Sequence, residues 1–583
     1  MKKYIIIISA LCISAAASAQ TMLDAIRFGT DSYFGTARSM AMGNAMTAVG
    51  GDLGSIGINP AGGTVAGYSQ FTVSPSIDIA VGRGAYAPGY SDNPTFGSYS
   101  RSSNTTFMMP NIGAMFVFNV GNGSGLRSFS FGILSNNTNV YNDTNVATGS
   151  DSNTSLTGSR AYWATMNANG YGGMLPPGCL SNTGNAYASN YWNLVAAYDG
   201  GLINYSQPNN CYFGSAEQEQ PGVPGSYGIP GNLRHVMSTK SSGTKNDLVL
   251  NFAMNFDNCL YVGLNIGIPM ARYNYSEYLS ETAEIPADFP VVPSYINNKG
   301  QYVQGAPTNY RGSQYEYVFS TQLTGIYGKL GVIWLPNDNL RLGAAVRTPV
   351  GYSVSQTYGV SNSSYFSDSS QNGNSYCDSD RQSFRLRGPF EANFGIAWTF
   401  SNVGMLSFDY ELTDFHTMMY SNYNRNAANP SLYDDVNRLT DIFCGLGHQF
   451  RVGAEVNLLP CLALRAGFNL ITNPERSYKV DDQVVSASNY DLFSHIYPSR
   501  SSLGKAYYDS TKNMFSVSAG LGYRSRGSFF ADLGVRMSSY PEAVYSLYST
   551  YVYNDNGSVK FFAPEEKLVR KLWDVTLTLG WRF

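Results

Sequence analysis

Charged side chains are scarce in this chain, at 13% of residues, about half the share usual in soluble globular proteins. The net charge is only −3, with no basic patch for nucleic acid and no acidic tail. The chain has just four histidines, His235, His416, His448 and His495. None stands in a His or Cys/His metal spacing, and neither a G-x-S-x-G elbow nor a phosphate-binding loop occurs. No catalytic residue, metal or cofactor is therefore expected. His416 follows Asp414, a spacing that could suggest a barrel hydrolase, but a rim histidine is the preferred reading. Beyond the first twenty residues no run of 18 apolar residues exists, which excludes a helical membrane protein. No linker or break in composition divides the chain after about residue 70, although 583 residues would suggest several soluble domains.

The two ends carry recognisable signals. Lys2 and Lys3 form a basic start, Tyr4 to Ala17 is an apolar stretch, and Ala17-Ser18-Ala19 offers a small-x-small cleavage site. Residues 1–19 therefore read as a signal peptide, with Gln20 opening the mature chain. Cys12 lies inside the apolar stretch without the small residues of a lipid-anchor site before it, so no lipid anchor is expected. At the other end, Trp573, Val575, Leu577, Leu579, Trp581 and Phe583 share one face of a strand, and Asp574, Thr576, Thr578, Gly580 and Arg582 share the other. A final strand closing on an aromatic residue resembles the insertion signal of bacterial outer-membrane proteins.

Glycine (60) and tyrosine (44) are abundant instead, and alternating segments of roughly ten residues recur in pairs around short polar turns, the signature of transmembrane barrel strands. Pairs are expected at about 111–120 with 127–135, 248–256 with 260–269, 324–335 with 340–348, 390–400 with 405–413, 448–457 with 462–471, and 513–523 with 528–538. A first strand near 68–80 and the last at 571–583 bring the count to fourteen. Long connections, the longest at 136–247, suit external loops, with the short turns in the periplasm. The fold class is thus all-β: a transmembrane antiparallel β-barrel of about 14 strands over residues 67–583. Arg341, Arg347, Glu391, Asp409, Glu411, Arg451, Glu455, Arg465, Asp532, Arg536, Asp574 and Arg582 all share the face opposite the apolar one. An outward Arg or Lys near the bilayer midplane costs about 2–4 kcal/mol, so this face is a lumen.

Residues 20–66 do not read as strand. A helix with small residues is expected over about 36–48, followed by Gly50-Gly51-Asp52 and then Asn59-Pro60-Ala61-Gly62. The combination of Gly35, Arg38, Gly43, Ala45, Asp52 and Asn59-Pro60-Ala61 resembles the FadL-like family of outer-membrane channels for long-chain fatty acids and aromatic hydrocarbons. The resemblance covers roughly residues 33–66 and is only architectural beyond. It implies that residues 20–66 form a hatch plugging the lumen, held by Arg38, Asp52, Asn59, Pro60 and Ala61. It further implies a hydrophobic ligand caught by outer loops, a shift of the hatch, and sideways exit at an inward kink in the third strand.

Several assignments follow as expectations. In that third strand, Gly132 interrupts Phe129, Phe131 and Ile133; it either marks the lateral gate or is a small lumen residue. Arg385 and Arg387, taken as lumen arginines, could hold a ligand carboxylate bidentately or form salt bridges with lumen acids. Tyr310, Tyr315 and Tyr317, with Tyr540, Tyr545, Tyr548, Tyr551 and Tyr553, read as an interfacial girdle. Cys179 and Cys211 share the longest loop and are expected to pair, export permitting disulfides, while Cys444 and Cys461 lie across a strand and cannot. Partners would be a hydrophobic small molecule, outer-membrane lipid and lipopolysaccharide, and the barrel-assembly machinery during insertion, at the cell outer membrane of a Gram-negative bacterium. A general diffusion porin or an adhesive surface barrel remains as the alternative.

Overall fold

The computed structural model describes residues 22–90, 94–121, 124–166, 174–180, 192–297, 299–378, 381–401, 403–423, 432–480, 483–487, 506–553 and 559–583. The leader 1–19 and its cleavage site lie outside these residues. Fourteen antiparallel strands close on themselves. They are β1 Gln70–Ala87, β2 Ser100–Asn119, β3 Leu126–Val140, β4 Leu233–Phe256, β5 Leu260–Ala283 and β6 Thr308–Trp334. Next come β7, in two parts (Leu340–Arg347 and Gly351–Phe366), β8, also in two parts (Gln382–Arg387 and Phe390–Phe400), and β9 Gly404–Asp414, continued by Met419–Asn422. The wall ends with β10 Leu446–Leu459, β11 Leu462–Ile471, β12 Met514–Arg524, β13 Phe529–Ser539 and β14 Glu565–Arg582. Closure is the β1–β14 ladder, from Gln70 opposite Arg582 to Ala87 opposite Glu565.

Side-chain alternation sets the two surfaces, because successive residues of a strand face opposite ways. In β14, Trp573, Val575, Leu577 and Trp581 are exposed outward while Asp574, Thr576 and Thr578 are buried. At the end with the short turns Trp334, Trp398, Phe400, Tyr523 and Trp581 stand exposed, as aromatic side chains do at a membrane interface. At the other end the wall is uneven. β4, β5 and β6 run far beyond the apolar band, and the described residues between Tyr141 and Asn232 fold over this end with helices Leu156–Met166 and Trp192–Asp199 and the hairpin Ile203–Ser206/Cys211–Gly214. This dome has an aromatic core including Trp192, Tyr198, Tyr205, Tyr212, Tyr548 and Tyr551.

Glu217 sits inside the dome, accepting from Gly214 N at 2.8 Å, and burial pushes its carboxyl up to about 7. The folded dome thus prefers the neutral acid. Its stability is greatest below the ordinary glutamate value of 4.5 and declines as pH rises towards 7, by on the order of 3 kcal/mol. Protease resistance of the dome is expected to fall between pH 5 and pH 8, and Glu217→Gln is expected to flatten that profile.

Three expectations need correction. Tyr310, Tyr315, Tyr548 and Tyr551 are buried and form no outer girdle; they line the inside of the elongated wall and the dome, where the aqueous exterior drives aromatic rings inward. Cys179 and Cys211 are not joined in a disulfide; they lie on different dome elements, the helix Pro177–Leu180 and the hairpin. Arg385 and Arg387 are exposed on the outside, whereas Phe384 and Leu386 are 1% and 2% exposed on the inside. The cause is the break at Gly388-Pro389. Glu391 and Asn393 below it face the lumen and so do Phe384 and Leu386 above it, a change of parity that sends every side chain beyond the break to the other face.

Candidate functional site

Residues 22–66 lie within the barrel and are almost wholly buried. They comprise helix α1 Met22–Gly29, an extended stretch, the short helices α2 Ala37–Ala41 and α3 Leu53–Ile56, and a 3-10 turn Pro60–Gly63. The expected helix over 36–48 stops early because Gly43 and Asn44 both take the left-handed conformation, with φ of 61°, which ends an α-helix. A plug with so little regular structure must have its backbone groups satisfied from outside. Barrel side chains do this. Lys245 donates to Phe28 O (2.9 Å), Arg536 to Tyr33 O (3.0 Å), Arg341 to Val49 O (3.0 Å), Asn265 to Ile56 O (2.8 Å) and Asn251 to Pro60 O (2.9 Å). Thr578 and Asp409 accept from Ala37 N and Thr47 N.

The residues singled out from sequence are found at the joints of this plug. Arg38 grips Glu455 with Nε at 2.9 Å and Nη2 at 3.1 Å, the bidentate geometry that suits guanidinium and carboxylate. Asp52 caps α3 through Gly54 N (2.8 Å) and accepts from Thr36 Oγ1 (2.6 Å). Asn59 caps the 3-10 turn through Ala61 N and donates to Thr47 O (2.7 Å) and, across to the wall, to Val332 O (3.1 Å). Pro60 abuts Gly331 and Gly263, and Ala61 packs against Tyr261 and Ile333. Two charged clusters absent from that set add to these joints. Asp31 bonds Lys245 at 2.7 Å and Arg347, which reaches on to Glu391 at 2.8 Å; Lys329 completes the group at 2.7 Å from Glu391. Arg465 joins Glu455 to Asp532.

Close docking also requires a wall without side chains where the plug touches it. Gly263, Gly331, Gly343, Gly395, Gly453, Gly467, Gly520 and Gly534 form a belt on eight strands, several directly opposite one another (Gly343 with Gly395, Gly453 with Gly467, Gly520 with Gly534). The approach to plug backbone is tightest at Gly467, where a Cβ would stand 2.0 Å from Gly43 N and 2.4 Å from Met42 C. This belt accounts for part of the glycine excess in the composition.

A second feature interrupts the wall. β2 and β3 are paired only from Asn119 opposite Ser128 to Asn111 opposite Asn136. Beyond Asn136, β3 stays on β4 but carries one extra residue, Thr138, between the pairs Asn137–Asn246 and Asn139–Lys245, a bulge that bends the strand. β2 bulges at the same level, where Pro110 lacks a donor, and its outer part from Ser100 pairs with β1 alone. The inner strand Asp143–Asp151 continues β3 along β4 and passes inside β1. Gly82 and Gly84 make room for it: a Cβ at either would lie 1.7 or 2.3 Å from a carbonyl oxygen of that strand. The wall therefore overlaps itself here rather than closing edge to edge. The freed edge of β3 is taken by the plug, with Ser32 N on Thr138 O (2.8 Å) and Phe34 N on Asn137 O (2.9 Å). Phe34, Ala80, Met108, Val140 and Leu572 form an apolar cluster behind the seam, while Phe107 (69% exposed) and Met109 (43%) stand outside it.

Gly132, named from sequence for this role, lies inside the paired part, opposite Met115, and faces the lumen, where a Cβ would meet the Met115 side chain. The strands part four residues later, at Asn136. Just beyond the seam, Tyr141, Phe28 and Tyr273 contact one another edge to face with ring centres 5.5–6.1 Å apart, and Phe319 adjoins Tyr273. Sequence reasoning missed this aromatic group, since Tyr141 falls in what read as loop. His416 is tied to Asp414 at 2.9 Å and to Arg476 near the rim, a pairing that accounts for the Asp414–His416 spacing. Arg385 and Arg387, being outside the wall, are not part of this lumen.

No family model matches this chain, and no curated protein does. Among solved structures it is similar to a FadL homologue of Pseudomonas aeruginosa (11% identity, 95% of this chain and 100% of that chain, TM-score 0.47). It is similar also to the CymD monoaromatic hydrocarbon channel (10%, 94% and 97%, TM-score 0.42) and to the Pseudomonas putida toluene transporter TodX (12%, 95% and 100%, TM-score 0.42).

Proposed function

We propose that this chain is an outer-membrane channel for the passive uptake of small hydrophobic molecules, long-chain fatty acids or aromatic hydrocarbons among them, and not an enzyme. The observations that support the reading are two: a segment, residues 22–66, buried within the barrel, and a seam between β2 and β3 with aromatic rings close to its inner side and apolar side chains on its outer side. An ion or sugar gains nothing from a sideways route into hydrocarbon. An apolar solute does, because leaving through the seam spares it a passage through water. The hatch is bonded to the seam edge at Asn137 and Thr138, so a shift of residues 32–34 changes the seam directly. The resemblance of residues 33–66 to FadL-like hatches supports the same class of cargo and a Gram-negative outer membrane as the location.

Uptake by cells of a Gram-negative host lacking such channels tests the reading. With the chain expressed, uptake of a long-chain fatty acid or toluene is expected to rise several-fold while uptake of a disaccharide of similar mass stays at background. Faster sugar uptake with unchanged fatty-acid uptake would instead point to a general diffusion porin.

A further inference from the structure

The outward side chains of β4, β5 and β6 are the even-numbered residues, and they divide into two zones. Leu248 to Phe256, Leu260 to Met270 and Ile326 to Trp334 present an apolar, lipid-facing surface interrupted only by Gly328. Beyond it, away from the short turns, the outward face turns polar, first with Asn246, Thr244, Arg272, Thr324 and Gln322 and then with Lys240, Ser242, Asn274, Ser320 and, on β7, Thr357. Here the outer surface holds a groove of about 450 Å³, flanked by Tyr376, whose ring is 67% exposed. Ser320 Oγ donates to Asn274 Oδ1 at 2.8 Å across its floor. Lys240 and Arg272 are exposed and enter no ion pair among the described residues. Arg385 and Arg387, turned outward by the break in β8, extend the same cationic side. The nearest acid on the outward face of β6, Glu316, lies two residues further out than Val318.

The geometry points to this groove as a binding site for the phosphorylated sugar headgroup of an outer-leaflet glycolipid. Hydroxyl and amide groups at the floor match sugar hydroxyls, the exposed tyrosine offers an apolar ring face to a sugar ring, and Lys240 and Arg272 match phosphate. Position selects the source. The groove lies a short way beyond the apolar band, with Arg272 between the two, so a lipid whose chains lie along Leu248, Met270 and Ile326 places its phosphate by Arg272 and its sugars in the groove, tethered at high effective concentration. A free phosphate or sugar lacks that tether. The inference rests on the outer-membrane placement proposed above, but its test involves no cargo and so fails separately from the uptake reading.

The full chain in nanodiscs is titrated with vesicles of bisphosphorylated lipid A, with the same lipid stripped of phosphate, and with inorganic phosphate as competitor. Wild type is expected to bind the phosphorylated lipid about tenfold more tightly than the stripped one, with little displacement by inorganic phosphate. Lys240→Glu with Arg272→Glu is expected to abolish that preference while heat-modifiable gel migration stays normal. Should the double variant not fold, Lys240→Gln with Arg272→Gln takes its place. Equal binding by the variant, no preference for phosphate, or full displacement by inorganic phosphate would each overturn the assignment.

Discussion

Removal of residues 20–62 is expected to leave a folded barrel that passes a steady ion current at least about tenfold above that of the full chain. The barrel closes through its own ladders, β1 on β14 included, and none of the fourteen strands is supplied by the plug. The buried charges that would lose plug partners, Lys245 and Arg347 facing Asp31, and Glu455 facing Arg38, would become hydrated in a water-filled lumen. Glu455 would still hold Arg465, and Arg347 would still hold Glu391. Planar-bilayer recordings of the two proteins decide it. An unchanged current would show that the segment does not obstruct the path.

A single substitution in the glycine belt is expected to mimic much of that deletion. Gly467→Leu puts a branched side chain where even a Cβ would clash with the backbone of Met42 and Gly43, at 2.4 and 2.0 Å. Backbone on both sides cannot yield as a flexible side chain could, and overpacking of this kind costs about 1–3 kcal/mol or more. The hatch, lacking long helices of its own, is the partner that gives way. The expected result is a normal barrel by gel migration, with bursts or a plateau of raised conductance. Gly328→Leu serves as control, because a Cβ at Gly328, which faces outward, meets nothing within 4 Å.

The portion of the wall inside the membrane was legible from sequence because lipid enforces a strict rule. Ten of the twelve charges assigned to the lumen by parity are buried, and the remaining two, Arg341 and Arg582, are half-buried. Short turns such as Asp257-Asn258-Cys259 close hairpins as expected. Legibility ended with the bilayer. β6 reads as strand only from about 324, yet it starts at Thr308, because outside lipid its outward residues become Ser, Gln and Glu and its inward ones Tyr and Phe. The parity change that misplaced Arg385 and Arg387 hides in Gly388-Pro389, which reads as an ordinary strand end. The seam depends on an extra residue in Asn137-Thr138-Asn139, where a backbone bulge has no distinctive side chain. Arg38, Asp52 and Asn59 could be singled out only by likeness to a known hatch; what each one bonds to needed the three-dimensional placement of residues hundreds of positions away.

The central claim is that cargo leaves sideways between β2 and β3. A long-chain fatty acid carrying a diazirine near its terminal methyl, loaded onto the hatch-docked full chain and photolysed, tests it most directly by peptide mapping of the adducts. Labelling is expected on the seam, at Phe107 to Pro110 and Asn137 to Tyr141, and on Phe28 and Tyr273 within the lumen. Labelling concentrated instead at the opposite mouth of the barrel, on Tyr68, Phe530 and Arg582 beneath the hatch, would contradict it.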